Sequence, residues 1–271
     1  MNKTRKNHFL PEFYLKGFLN ESQKLFSCRK VRGSWQYYGE KDPGEIFFKK
    51  KMHPQLHEDF LSTRESIWNK IFEKLRKKDL FSIKEDEYYK IGEFAAWQFL
   101  RLPNSMKIAK DFNDEQVQKS LSKIDAEVRL SEKQKLFTKD LFPKIINSPE
   151  VQLHFRSNSV KEFSKMIFYR GWVFLVAPND INFLTSDSPF YAGGAVGNQH
   201  FIPLTKTVML LIGNKPLEKL EIIPYFPACE KMVNNLNFHI AKLASEYIAG
   251  PNRIQVEKNA NEINKIFQED K

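Results

Sequence analysis

Glycine is scarce in this chain, with 11 among 271 residues, and it builds neither a G-x-G-x-x-G nor a G-x-x-x-x-G-K-S/T pattern. That excludes the usual phosphate loops, in which bare backbone N–H groups must approach the phosphate closely. Cysteine is scarcer still. Cys28 and Cys229 lie far apart and match no metal-binding spacing, as expected of buried or incidental thiols in a reducing compartment. No segment approaches the roughly 20 apolar residues of a membrane-spanning helix. The opening MNKTRKNHFLPEF is basic but lacks the apolar run of a signal peptide. A cytoplasmic protein without a membrane partner is expected. Internal repeats and low-complexity tracts are missing as well.

Aromatic residues, by contrast, are plentiful. The 24 Phe, within 14% aromatic and 41% hydrophobic residues, suffice for a real core with flat, well-filled interfaces. The length fits one large domain or two small ones. Charge is one-sided, at +10 with a pI near 9.3. Such an excess suits a polyanion such as nucleic acid, through steering and counterion release. It is equally the composition of an ordinary lysine-rich protein unless the charge clusters.

The most informative stretch is 84–110, KEDEYYKIGEFAAWQFLRLPNSMKIAK. Ile91, Phe94, Ala95, Gln98 and Leu102 fall at helical spacing, so one stripe faces a core. Gln98 and Arg101 interrupt that apolar segment one turn apart, and polar groups buried there need partners. Arg101 either belongs to a site or snorkels to solvent, and Gln98 either joins it or caps a neighbour's backbone.

Taken in order, HFLPEFYLKGF over 8–18 predicts a short buried helix with Pro11 in its first turn, Gly17 at its exit and His8 at its entrance. KLFSCRKV and SWQYYG are extended and joined at Arg32-Gly33, a hairpin. Residues 40–55 read as loop. His53 and His57, four apart across Pro54, are expected as a surface pair, because no third ligand is adjacent. A second strong helix is predicted over 55–78, with Leu61, Ile67, Trp68, Ile71, Phe72 and Leu75 on its apolar face and Glu58 and Glu65 together on one side. Residues 111–166 continue helical and more polar, with starts at Ser131 and at Ser148-Pro149, and suit scaffold or a protein-binding face.

After Arg170 the runs become short, β-branched or aromatic, which predicts an antiparallel sheet. Thr185-Ser186-Asp187-Ser188-Pro189 follows a strand, where hydroxyls and a carboxylate bind a ligand or make ordinary Asx-turns. Residues 229–249 return to helix, with Asn234, Asn235 and Asn237 at its front, and a polar helix closes the chain. The expected fold is one α+β domain with a mainly helical core, an N-terminal hairpin and a C-terminal antiparallel sheet. It is helix-rich over 1–170, sheet-rich over 171–228, and has closing helices over 229–271.

Several of these stretches together carry a resemblance. HFLPEFYLKGF resembles the opening His-Phe/Tyr-Val/Leu-Pro-x-x-Tyr-Leu-x-x-Phe of the bacterial domain-of-unknown-function family DUF4238. The helix with Glu58 and Glu65, the Gln98-x-x-Arg101 helix, FLTSDSPF, FIPLT and the NNLNFHIA helix are similar to that family's other landmarks in the same order. The resemblance covers nearly the whole chain and implies a unified fold and a shared site position rather than a reaction. It also implies an accessory, defence-associated or toxin-like role, which is fold-level analogy only.

Two functions are weighed. In a phosphodiesterase acting on RNA or DNA, Arg101 would hold a phosphate and His8 would be the general acid or base. Asp187 and Glu65 would orient that histidine or hold a divalent cation such as Mg²⁺ or Mn²⁺. Gln98 would position substrate or water, and Thr185, Ser186 and Asn237 would contact substrate. No spaced catalytic motif confirms this chemistry. In a non-catalytic regulatory module that binds nucleic acid or protein, His8, Gln98, Arg101 and Asp187 would instead form a buried polar network that locks helix to sheet. The helices expected at 55–78 and 84–110 should pack antiparallel, with His8 near their junction. A nucleic-acid partner would further require Lys and Arg to gather beside Arg101.

Overall fold

The computed structural model describes residues 6–50, 55–102, 148–193 and 199–269. Strand β1 (Lys6–His8) pairs antiparallel with β4 (Phe48–Lys50) and leads into α1 (Glu12–Leu15), which runs on as a 3-10 turn over Lys16–Phe18. Pro11 stands just before the first turn, with extended backbone that its ring favours. The helix buries Phe13, Tyr14 and Leu15. The hairpin β2 (Leu25–Val31) and β3 (Ser34–Lys41) turns at Arg32-Gly33, where both residues have positive φ. Residues 40–55, expected as loop, hold the end of β3, a 3-10 turn at Pro43–Glu45 and β4.

Helices α2 (Gln55–Arg76) and α3 (Glu85–Arg101) follow. The backbone N–H of Lys84 donates to the Glu87 carboxylate at 2.8 Å, satisfying a donor at the start of α3. The helix stops at Arg101, short of the expected 110. Leu102 is extended (ψ 139°), the conformation that the following Pro103 imposes on its neighbour. Residues 103–110, the rest of that expected helix, lie outside the described residues, as do Ser131 and most of 111–166. Helix α4 (Pro149–Phe168) starts just after Ser148, as predicted.

The remaining elements are β5 (Arg170–Val176), β6 (Thr185–Ser186), β7 (Tyr191–Gly193), β8 (Gln199–Pro203), β9 (Val208–Pro216), β10 (Ile222–Pro227), α5 (Glu230–Lys242), β11 (Tyr247–Gly250) and α6 (Arg253–Glu269). The class is α+β, with two refinements. The five-stranded sheet, in order β10-β5-β9-β8-β7, is mixed rather than antiparallel. After β9 the chain reverses and returns on the far side of β5, so β10 runs parallel to it. The N-terminal hairpin does not stand apart either. Its β2 pairs with β11, and β11 with β6, to give the four-stranded sheet β3-β2-β11-β6, so the helix expected over 229–249 ends at Lys242 and its last residues are a strand held by β2 and β6.

Alternation along β5 shows how the layers fit. Trp172, Phe174 and Val176 join α1, α2 and α3 in the main core, whereas Leu175 faces a second cluster with Val233, Leu236 and Ile240 of α5. Period-two side chains thus bury both faces of the central sheet. A third cluster lies between the four-stranded sheet and α6, with Cys28, Trp35, Ile248, Val256 and Ile263. In the main core, Phe72 and Phe94 meet edge to face at 4.7 Å, and Phe13 joins Phe72 at 5.2 Å, tying α2, α3 and α1 together. The stripe Ile91, Phe94, Ala95, Gln98 and Leu102 is buried along its whole length.

Candidate functional site

Two helices and the start of the chain enclose a polar cleft of about 360 Å³. His8, Glu12 and Phe13 form one wall, while Glu58, Ser62, Glu65 and Asn69 of α2 form the other, with Arg101 at the base. Glu58, Ser62, Glu65 and Asn69 sit at i, i+4, i+7 and i+11, so they stack along one line of the helix surface. Their polarity at helical spacing was a readable signal. Sequence reasoning took up only the two carboxylates and missed Glu12, Ser62 and Asn69.

Arg101 does not snorkel; it is 3% exposed. One terminal nitrogen donates to Glu65 Oε1 at 2.7 Å and the other to the backbone carbonyl of His8, while Nε has no partner. One turn earlier, Gln98 donates its side-chain N–H to the Phe9 carbonyl. The two polar residues of α3 therefore hold the two consecutive carbonyls where β1 enters α1. Without them these acceptors would be buried unpaired, at a cost of about 1–3 kcal/mol each.

His8 is the group left open. Its ring packs edge-on against Phe48, while Nε2 has no hydrogen-bond partner and stands 4.0 Å from Glu12 Oε1. Burial holds its pKa below the ordinary histidine value, helped by the Arg101 charge and opposed by Glu12, Gly44 and Glu65. A histidine depressed in the fold takes up its proton less readily there than in the unfolded chain. Its contribution to stability is therefore complete above pH 6.5 and is lost as pH falls toward the depressed folded value. His8→Gln should flatten the acid side of the stability–pH curve. Parallel slopes for the two proteins in urea melts below pH 6.5 would contradict it.

The other expected site residues lie elsewhere. Asp187 is buried and turned away from Arg101. Its carboxylate accepts the backbone N–H groups of Ser245, Glu246 and Tyr247 at 3.0–3.2 Å. It lines a separate cavity of about 70 Å³ with Phe9 and Leu102, the chain neighbours of the cleft residues His8 and Arg101. Asp187 and Glu65 are thus not brought together to share a cation, and Asp187 does not orient His8. Burial raises the Asp187 pKa and the backbone donors draw it down, with burial the larger effect.

Thr185, Ser186 and Asn237, expected to contact substrate, are fully buried. Thr185 Oγ1 bonds Tyr14 Oη at 2.9 Å, and Tyr14 Oη in turn donates to the Pro203 carbonyl at 2.8 Å. Ser186 Oγ donates to the Ile240 carbonyl. Asn237 accepts from Leu184 N–H and donates to the Asn182 carbonyl, both at 2.8 Å. These groups are engaged with backbone or, for Thr185, with Tyr14, and present no surface to a ligand. The expected surface pair His53–His57 is also corrected in part. His57 is buried with its Nδ1 3.5 Å from Arg156, because it lies one turn before the buried Leu61 on the same side of α2; His53 lies outside the described residues. Among the described residues, no three His, Cys, Asp or Glu side chains converge as metal ligands.

The model of the family described as "Protein of unknown function (DUF4238)" matches residues 6–253. The chain belongs to that family. No curated protein and no solved structure matches it. The DUF4238 match begins at β1 and ends at the first residue of α6, so it takes in both cleft walls, Arg101 and the Asp187 loop. Among the described residues of this DUF4238 chain, no helix is long and apolar enough to cross a membrane.

Proposed function

We propose that this protein is a cytoplasmic, non-catalytic binding module whose cleft receives a lysine or arginine side chain of a protein partner. The observation that carries this is the charge of the lining. Among the described lining residues, Glu12, Glu58 and Glu65 face the cleft with Arg101 as the one cation, and Arg101 already answers Glu65. In a chain of net charge +10, that is a local inversion of sign. His8 Nε2, which has no hydrogen-bond partner, adds a further polar atom that accepts in one tautomer of the neutral ring. An acceptor-lined cleft favours a cationic donor and disfavours a bare phosphate. Among the described residues, Lys and Arg do not gather here as a nucleic-acid cleft would require.

A second reading, hydrolysis of an RNA or DNA phosphodiester, is favoured by one observation: a depressed-pKa histidine with an open ring nitrogen suits a general base. Its substrate would need a divalent cation such as Mg²⁺ or Mn²⁺ to offset the three carboxylates.

Labelled arginine-rich peptide and labelled RNA and DNA, each titrated with and without Mg²⁺, test both. The peptide should bind, and Glu12→Gln with Glu58→Gln should weaken it about tenfold or more. Cleavage of nucleic acid that His8→Gln abolishes, with no peptide bound, would replace this proposal by the second.

A further inference from the structure

A second cavity, of about 410 Å³, opens between the end of α3, α4 and strands β7, β8 and β9. Its volume lies within the range of about 300–1,000 Å³ usual for small-molecule sites. The walls are apolar. Phe99 stands 5.6 Å from both Phe163 and Phe190 in a ring ladder along one side, and Ile202 contributes from the central sheet. Two nitrogenous side chains, Arg170 and His200, are set into this lining. Arg170 gives one terminal nitrogen to the carbonyls of Gly213 and Asn214, at 3.3 and 3.2 Å. No carboxylate among the described residues forms an ion pair with it, and the His200 ring makes no hydrogen bond there. A guanidinium fixed by backbone carbonyls at the edge of an apolar chamber, without an acid to neutralise it, is complementary to an anion that carries an apolar body.

We propose that this cavity binds an amphipathic carboxylic acid, its chain or ring among Phe99, Phe163, Phe190 and Ile202 and its carboxylate on Arg170. The Arg170 Nε and second terminal nitrogen, neither engaged with a carbonyl, present the two-pronged edge that a carboxylate accepts. Partial burial lowers the His200 pKa, and His200 lies close enough to Arg170 for that charge to lower it further. It therefore serves as a neutral hydrogen-bonding neighbour rather than a second charge. This site shares no lining residue with the acidic cleft and selects the opposite charge.

The test is calorimetric titration of the full chain with decanoate and, as the uncharged analogue, 1-decanol. Saturable binding of decanoate, tighter than decanol, is expected. Arg170→Gln should weaken decanoate about tenfold or more and leave decanol unchanged, since only the charged head is affected. Arg170 also braces β9, so Ala192→Trp, which fills the cavity from the exposed face of β7, gives an independent result: both ligands should be lost while the melting curve is kept. Absence of saturable decanoate binding, equal affinity for acid and alcohol, or binding untouched by Ala192→Trp would each overturn the proposal.

Discussion

Asp187→Ala is expected to destabilise the protein by about 3–4 kcal/mol, because a buried carboxylate that accepts three backbone donors disappears at once. Three stranded donors at about 1–3 kcal/mol each would suggest more. Tyr247 alone of the three is buried, however, so water can reach the other two. The lesion falls where β6 ends and β11 begins. Asp187 also donates its own N–H to the Tyr247 carbonyl, and β11 joins the hairpin to the rest of the chain. A fall in melting temperature of about 10 °C should result. Asp187→Asn, which keeps one acceptor oxygen, should cost about half as much. Thermal and urea melts check both. A loss under about 1 kcal/mol for the alanine variant would show that the carboxylate does not hold this junction.

Arg101→Ala should cost about 3 kcal/mol. Removing one partner of a buried ion pair strands the other, with typical losses of about 3–5 kcal/mol. Glu65 retains 29% of its side-chain exposure, which lets water screen the orphaned carboxylate and puts the loss at the lower end. The His8 carbonyl loses its donor in the same step. Arg101→Lys should rescue little, since a single ammonium cannot hold a carboxylate and a carbonyl in two directions. The double variant Arg101→Ala with Glu65→Gln should be more stable than Arg101→Ala alone, because the stranded charge is gone. Unchanged melting in the single variant, with peptide or nucleic-acid binding lost, would instead mark Arg101 as a ligand group.

Much of this was legible along the chain because it rests on local periodicity. The stripe from Ile91 to Leu102 and the α2 residues Leu61, Trp68, Ile71, Phe72 and Leu75 repeat at helical spacing, and that pattern predicts which sides are buried; Ile67, expected on the same α2 face, is instead 45% exposed. Pro11 and Arg32-Gly33 marked a helix start and a hairpin through backbone restrictions carried by single residues. The likeness of HFLPEFYLKGF to its family lay in contiguous residues as well.

Partnership between distant segments was not legible. Gln98 and Arg101 advertised buried polarity, but their partners are carbonyls, which every residue carries and no sequence pattern distinguishes. Asp187 and Glu65 are the same kind of group, and only the packing sends one to the backbone of 245–247 and the other to Arg101. Pairing of β5 with β10, and of β2 with β11, likewise depends on which strand the folded chain lays beside which. The sequence by itself determined most helices and the hairpin, the apolar stripe of α3, and that polar groups at 98 and 101 require partners, since those properties belong to neighbouring residues; the short strands β4 and β11, read as loop and helix, form only because a partner strand lies beside them. Tertiary structure alone decided that the cleft is acidic, that Arg101 is neutralised within it and that Asp187 stands apart, because the charge of a site is the sum over side chains that only folding brings together.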